Sequence, residues 1–227
     1  MSKIFLDHIV LGVPNLDQAT DELQNLLGVK AIYGGKHVGL GTHNALLGIG
    51  KPKERIYLEL LAINPEEPIT NNYPLGLQPN SQNYQVLAWC IRCENFDIEK
   101  ANNLIRQLGD AYDQGEVRAM QRVSNNGDVL SWRLAANPQK ILTSSGKIPF
   151  LIQWDNLNQH PSCGIQESNF LDFSFQIFGP DSSAIGKNLQ SCGLQDSKNL
   201  FFVNSSVNSL GLNLIKNEKG IFFGLKD

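Results

Sequence analysis

The stretch Lys3–Val13, KIFLDHIVLGV, decides the fold, because it is a strand-forming run that carries one acid and one imidazole, Asp7 and His8. Its apolar residues occur at both odd-numbered and even-numbered positions, which predicts a strand covered on both faces. A related run follows at Arg55–Ile63, RIYLELLAI, where Glu59 interrupts an apolar segment. A buried carboxylate is costly unless something pairs with it. We therefore expect His8 and Glu59 to face one cleft.

The same order of elements returns further along the chain. PNLDQATDELQNLLG at 14–28 and NFDIEKANNLIRQLG at 95–109 both place apolar residues at helical spacing and end in Leu-Gly, as helices do. Strand-like runs surround each helix, and NNGD at 125–128 predicts a hairpin turn. The sequence predicts an α+β fold of repeated βαβββ modules. The expected parts are a first module at 1–66, a linker at 67–83, a second module at 84–160 and a third, shorter module at 168–227.

Composition limits the classes of function. The chain has 227 residues, with 41% hydrophobic and 18% charged residues and a net charge of −3, which is ordinary for a soluble globular protein. No basic stripe indicates nucleic acid, and no apolar run approaches the roughly 20 residues that span a bilayer. The N-terminus is unlike a secretion signal, so we expect a cytoplasmic protein. Cys90 and Cys93 fall in a strand-like run, where residues three apart point to opposite faces, which favours reduced thiols over a zinc or redox pair.

Five motifs carry a resemblance to a known family: LDHIVLGVPNLDQA, GTHNALLG, YLELLAI, NNGDVLSWRLA and IPFLIQW, the last followed by His160-Pro161. In order and spacing they resemble the glyoxalase-like, or vicinal oxygen chelate, superfamily, in the branch that carries an extra partial module. The resemblance covers nearly the whole chain. It implies two modules whose sheets curve around a shared cleft, with metal ligands on the first and fourth strand of each module. In the first module these positions are His8 and Glu59, which would suit a divalent ion such as Zn, Ni, Mn or Fe.

The second module departs from this pattern. Aligning the helix starts puts Ala88 in the place of His8, and aligning the fourth strands puts Ile152 or Gln153 opposite Glu59. Alanine and isoleucine cannot bind a metal, and a glutamine oxygen is a weak ligand. A divalent metal and a site without any cofactor therefore stay open as alternatives.

The other candidates for binding a substrate are polar or aromatic residues near these motifs: His43, Asn44, Trp89, Arg122, Arg133, Gln153 and His160. Arginines bind anions, tryptophans form aromatic walls, and a glutamine amide between apolar neighbours needs a partner. Each also has a structural alternative, as a turn residue, a solvated arginine or ordinary core. For Glu59 the alternative is a buried pair with one of the two arginines. GGKHVGLG at 34–41 matches neither phosphate-loop nor dinucleotide spacing, so it is set aside.

Two functions fit these residues. The first is an enzyme acting on a small oxygenated metabolite, by lyase, isomerase or dioxygenase-type chemistry, in which Glu59 or His8 moves a proton beside a stabilised oxyanion. The alternative is a metal-free binding protein, of a sequestration or resistance type, that uses the same cleft. The predicted partner is a small-molecule ligand. The third module leaves a sheet face to be covered, either against the first two modules or by its copy in a homodimer.

Overall fold

The computed structural model describes residues 3–67, 73–79, 81–123, 127 and 129–224. The first repeat consists of β1 Lys3–Gly12, α1 Leu16–Leu27, β2 Ile32–His37, β3 Thr42–Ile49 and β4 Ile56–Ile63. The second repeat consists of β5 Gln85–Glu94, α2 Ile98–Arg106, β6 Arg118–Val123, β7 Val129–Ala135, an added helix α3 Pro138–Thr143 and β8 Phe150–Trp154. The third repeat consists of β9 Phe170–Gly179, α4 Ser182–Ser191, β10 Leu200–Asn204, β11 Ser209–Lys216 and β12 Lys219–Phe223.

This order confirms the α+β fold of repeated βαβββ units. Four predicted features fall partly outside the described residues: the first module, at 1–2, the linker, at 68–72 and 80, the NNGD turn, at 125, 126 and 128, and the third module, at 225–227.

Hydrogen-bonded ladders join the described strands into one curved sheet. Its order is β12-β11-β9-β3-β4-β1-β5-β8-β7-β6, with β10 beside β9 and β2 beside β3. The first two repeats have the same internal order, and β1 meets β5 in antiparallel fashion at their junction. Because β1 and β4 are parallel neighbours, residues from both strands can face one point of the cleft.

Local sequence signals set the first helix. Asn15 caps α1 by accepting a hydrogen bond from the backbone N–H of Gln18 at 2.9 Å, as N-cap residues do. Gly28 ends α1 in the left-handed conformation, with φ of 67°. The apolar stripe of α1 then packs on the outer face of the sheet through Leu16, Ala19 and Leu23.

The third repeat lies against the outer face of the first two. The Trp89 ring meets Phe175 and Phe202 edge-on, at centroid distances of 5.9 and 6.1 Å. The backbone of Ile4 exchanges hydrogen bonds with Gly193 and Gln195, at 3.0 and 2.8 Å. This is one of the two predicted ways to cover that surface, and the homodimer stays a prediction. No helix among the described residues combines the length and the apolar character needed to cross a bilayer.

Candidate functional site

A β-bulge in β1 places Asp7 and His8 on the same side of the sheet. In the ladder with β5, Leu6 pairs with Ile91 and His8 pairs with Cys90, so Asp7 is the extra residue. Side chains alternate along a regular strand, and a bulge breaks that alternation. The Leu6 carbonyl next to the bulge accepts a hydrogen bond from Arg92 Nη1 at 2.8 Å. The bulge therefore brings an acid next to an imidazole that regular pairing would place on opposite faces.

Asp7 is the centre of a buried hydrogen-bond network. Its Oδ1 lies 2.6 Å from His8 Nδ1, and its Oδ2 lies 3.1 Å from both His160 Nε2 and Trp154 Nε1. The backbone N–H of Ser162 donates to His160 Nδ1 at 3.2 Å, so the proton of a neutral His160 is on Nε2 and points at Asp7. Burial by itself raises the pKa of Asp7. The nearby His160 and His8 lower it by more than burial raises it, so the pKa of Asp7 lies below its usual value. The network thus holds a buried, ionised carboxylate that fixes the orientation of both imidazoles.

Glu59 lies next to this network and faces His8, as the sequence predicted. Its Oε2 is 3.7 Å from His8 Nε2, and its Oε1 is 3.7 Å from His37 Nε2. Asn44 Nδ2 donates to Oε1 at 2.7 Å. The Glu59 side chain is 13% exposed, whereas Asp7 is fully enclosed. Among the ion pairs of the described chain, Glu59 has none with a lysine or arginine, so the alternative of a buried pair with Arg122 or Arg133 is wrong.

Aromatic rings form the wall around these groups. Tyr57 stacks on His8 with a centroid distance of 4.7 Å, and Phe150 meets the His8 ring edge-on at 5.4 Å. Burial raises the pKa of the Tyr57 hydroxyl well above its usual value, and the charges of Asp7 and Glu59 add to the rise. Tyr57 is therefore a neutral hydroxyl beside two carboxylates.

Four of the predicted site residues lie on the other face of the sheet. Trp89 is fully buried in the outer core and donates to the carbonyl of Lys147 at 3.1 Å. Gln153 accepts a hydrogen bond from the backbone N–H of Ile98 at the start of α2, and Arg133 bonds to Gln153 and Asp97. The prediction that Trp89, Arg133 and Gln153 line the His8 cleft is therefore wrong.

His43 is the fourth predicted site residue on the other face of the sheet. It alternates with Asn44, so it points to the helix side of β3 and lines a surface groove beside the start of α1. Burial lowers its pKa. The prediction that it shares the cleft with Glu59 is also wrong.

The remaining three predicted residues do surround the cleft. Asn44 and His160 contact Glu59 and Asp7 respectively. Arg122 extends from β6 and donates a hydrogen bond to the carbonyl of Gly34, so it joins the second repeat to β2. These placements bring His8, Glu59, Asn44, Arg122 and His160 together; their chemical roles stay predictions.

The second repeat offers no metal ligand at the positions that match His8 and Glu59. The repeat alignment matches Val10 with Cys90, and these pair with Glu59 and Phe150 in their parallel ladders. The counterpart of Glu59 is therefore Phe150, rather than either residue predicted above. With Ala88 in place of His8, this repeat supplies apolar wall.

The donor atoms of the first repeat do suit a divalent ion. His8 Nε2 and the Glu59 carboxylate are an imidazole and an oxygen ligand held close together. Asp7, His8 and Cys90 also bring ligand atoms within 4.8 Å of one another, the one such group of three among the described residues. That buried group suits an ion poorly, because both Asp7 oxygens accept hydrogen bonds and burial raises the pKa of the Cys90 thiol. Of these two sets of donor atoms, the one at Glu59 therefore suits a divalent ion better.

Sequence reasoning missed three residues of this site. The sequence places Asp7 beside His8, but only the bulge shows that the two side chains are in contact. His37 lies in the glycine-rich segment that was set aside, and its place before a tight turn between two strands was the available signal. Trp154 ends the IPFLIQW motif, and the buried acid that its indole N–H contacts is far away in sequence.

Curved βαβββ units with polar groups gathered on the inner face define a glyoxalase-like architecture. A family model described as a glyoxalase-like domain matches residues 6–172. The chain therefore belongs to this family, within the vicinal oxygen chelate superfamily. The match ends at the start of β9, so most of the third repeat lies outside it.

One solved structure shows the same fold over the whole chain, and others are similar to part of it, all at low sequence identity. A hypothetical protein from Staphylococcus aureus is 20% identical with a TM-score of 0.54, over 99% of this chain and 86% of that chain. Methylmalonyl-CoA epimerase from Mycobacterium tuberculosis is 17% identical with a TM-score of 0.41, over 66% and 85% of the two chains. A hypothetical protein from Bacillus halodurans is 17% identical with a TM-score of 0.42, over 69% and 96%. Comparison with curated proteins finds no match.

Proposed function

We propose that the protein is an enzyme that moves a proton on a small oxygenated metabolite, a carbonyl or hydroxy-acid compound, in the cleft beside Glu59. The observation that carries this proposal is the setting of the Glu59 carboxylate. It is partly exposed, has no lysine or arginine partner among the described ion pairs, and lies 3.7 Å from the Nε2 atoms of two histidines. A carboxylate that needs a partner and faces a cleft is a candidate for proton transfer.

Glu59 is the proton acceptor in this proposal. It removes a proton from the carbon next to a carbonyl. The C–H electron pair becomes a carbon–carbon double bond and the carbonyl π pair moves to the oxygen, which gives an enolate, or an enediolate where that carbon carries a hydroxyl group. Between the two steps the proton on Glu59 exchanges with solvent. A proton then returns either to the other face of the same carbon or to the former carbonyl carbon, and in the second case the hydroxyl proton moves to the former carbonyl oxygen. The reaction is an isomerisation that needs no oxidant. Asn44 supports this role because its amide, at 2.7 Å, orients the carboxylate.

His8 is the oriented partner of Glu59. Its Nδ1 is held at 2.6 Å from Asp7, so its Nε2 points toward Glu59 and can hold or release a proton there. An imidazole held by a buried carboxylate keeps one tautomer and one orientation, which general acid–base catalysis needs.

Two groups could stabilise the negative oxygen. Arg122 is the arginine that reaches the cleft from the second repeat, where it bonds to the Gly34 carbonyl, and a guanidinium binds oxyanions or carboxylates well. A divalent ion held by His8 and Glu59 would polarise the substrate oxygen. The two aids are compatible, since they come from opposite repeats.

Hydrogen–deuterium exchange tests the proposal. The protein is incubated in D2O with a panel of small α-hydroxy aldehydes, ketones and acids, and NMR follows loss of the carbon-bound proton. We expect catalysed exchange for at least one compound and a loss of about 100-fold or more in Glu59→Gln, in keeping with the usual contribution of a general base. Glu116→Gln, which changes an exposed acid, is the matched control. Equal exchange in the Glu59→Gln variant and the wild type would contradict the assignment.

A metal-free binding protein is the second candidate, and the apolar second repeat favours it. Phe150 and Ala88 stand where ligands are expected, and Tyr57 and Phe150 give aromatic surfaces next to His8. This candidate predicts saturable ligand binding without proton exchange. It also predicts that the Glu59→Gln variant keeps its affinity for a neutral ligand.

A further inference from the structure

The hairpin formed by β2 and β3 carries a histidine that completes a site in the first repeat. We infer that His37 is the third ligand of a divalent metal ion that is also held by His8 and Glu59. This inference deepens the proposed function and rests on its choice of cleft. It places all the ligands in one repeat and none in the second.

The spacing of the three groups supports this assignment. The two carboxylate oxygens of Glu59 each lie 3.7 Å from a different imidazole Nε2, one from His8 and one from His37. This separation is too long for a hydrogen bond. Two ligand atoms at about 2.1 Å from one tetrahedral zinc ion lie about 3.4 Å apart, so each of these two nitrogen–oxygen separations is close to the one that a shared ion gives. Two histidines and one carboxylate also leave coordination positions open for a substrate.

The atoms behind the ligands support it further. In metal sites the second nitrogen of a ligating histidine is usually held by a carboxylate, a carbonyl or a hydroxyl group. His8 Nδ1 lies 2.6 Å from Asp7 Oδ1, and His37 Nδ1 lies 2.9 Å from Thr42 Oγ1. Both rings are thus oriented so that Nε2, the other nitrogen, faces Glu59. Two histidines oriented in this way toward one carboxylate are hard to explain by packing alone.

One movement brings the ligands together. The set is more open than the buried group of Asp7, His8 and Cys90, whose ligand atoms all lie within 4.8 Å. His37 is the last residue of β2, directly before the turn at 38–41, and its side chain is 27% exposed. The His8 side chain is only 5% exposed. The ligand atoms of His8, His37 and Glu59 do not all lie within 4.8 Å of one another. The inference therefore requires the more exposed His37 side chain to move toward Glu59 and His8 when an ion binds.

This arrangement explains the missing ligands of the second repeat. Ala88 and Phe150 stand at the positions that match His8 and Glu59, so an ion shared between the repeats would have only two protein ligands. With His37 the first repeat supplies three by itself. The expected stoichiometry is one ion per chain.

Metal titration of the metal-stripped full chain tests the inference. Calorimetry with Zn²⁺, and absorbance with Co²⁺, should show one site per chain without a thiolate-to-cobalt charge-transfer band. Loss of an outer-shell partner costs about 10–100-fold in metal affinity, so loss of a direct ligand in His37→Ala should cost at least about 100-fold. His43→Ala is the matched control, because it removes a histidine from the same hairpin on the opposite face of β3. Cys90→Ala should also bind as the wild type does.

A second variant keeps the inference testable if His37→Ala does not fold. Thr42 is fully buried, and Thr42→Val keeps its shape while removing the hydroxyl that orients His37. We expect about a 10-fold loss of metal affinity, the lower end for an outer-shell change. Circular dichroism and thermal melting establish that each variant is folded.

Three outcomes would overturn the inference. The first is a wild-type protein that binds none of these ions, and the second is a His37→Ala variant that binds as tightly as the wild type. The third is a thiolate charge-transfer band that disappears in Cys90→Ala, which would place the ion in the buried group. In each case the deuterium-exchange test still decides the proposed function, because that test depends on Glu59 and needs no knowledge of the metal.

Discussion

The Asp7→Asn variant tests the buried network most directly. Asparagine has nearly the same shape as aspartate, so it leaves no cavity. Its amide oxygen can still accept the bond from His8, but its NH2 group then faces two donors, His160 Nε2 and Trp154 Nε1, both now 3.1 Å from Oδ2. Each buried donor left without a partner costs about 1–3 kcal/mol, and removing one side of a buried charged pair costs about 3–5 kcal/mol. We expect the free energy of unfolding to fall by about 3–5 kcal/mol.

Urea denaturation at neutral pH, followed by tryptophan fluorescence, measures this loss. For a chain of this length it corresponds to a fall in Tm of roughly 6–20 °C. The control is Asp172→Asn, which changes an exposed acid on β9 and should stay within about 0.5 kcal/mol of the wild type. An Asp7→Asn loss below about 1 kcal/mol would mean that the three contacts contribute little. Asp7 would then not be the group that orients His8.

Three further changes test other parts of the structure. In Gly34→Ala the new Cβ would lie 2.2 Å from Asn44 Oδ1, so we expect a loss of about 1–3 kcal/mol in urea denaturation from overpacking, together with weaker metal or ligand binding in the cleft. Arg92→Met removes the guanidinium that bonds to the carbonyl next to the bulge. We expect the free energy of unfolding to fall by about 3–5 kcal/mol and amide exchange around the bulge to become faster. Unchanged exchange there would contradict the role of Arg92. Thiol titration of the native protein should label Cys163, which is exposed, and leave the other three cysteines unreactive until urea is added. Burial raises the pKa values of these three thiols, that of Cys93 to about 12, so little reactive thiolate is present. Rapid labelling of more than one thiol would contradict the packing of the sheet.

The fold could be predicted because its signals are local and repeated. Apolar stripes and strand-like runs occur in the same order three times, and side-chain caps begin the helices of the first two repeats. Each of these signals depends on residues close in sequence. The positions of His8 and Glu59 also followed, because both lie in apolar strands where a polar side chain needs a partner.

Which face of each strand forms the cleft could not be predicted. In β5 both faces are apolar, so alternation separates Trp89 from Cys90 without showing which one points inward. The third repeat settles the question, because it covers the outer face with Phe175 and Phe202. That contact joins residues far apart in sequence, and no pattern within β5 reports it.

Two site residues depend on contacts between strands rather than on patterns within them. Asp7 reaches the cleft through a bulge, which shifts alternation by one residue and leaves no mark in the sequence of β1 alone. His37 meets Glu59 across β3, since β2 and β4 are both neighbours of that strand. A carboxylate on one strand and a histidine two strands away become a pair only when the register of the whole sheet is known.

These contacts show that the first two repeats contribute different groups to the cleft. The first repeat holds the groups that can move a proton or bind a metal: Asp7, His8, Glu59 and His37. The second repeat supplies walls and one cation, with Phe150 against the His8 ring and Arg122 across the gap to β2. If the first repeat alone holds the ion, as inferred above, the inner face of the second repeat is free to shape the choice of ligand. Changes there should alter which molecule binds, while changes in the first repeat should remove the chemistry itself.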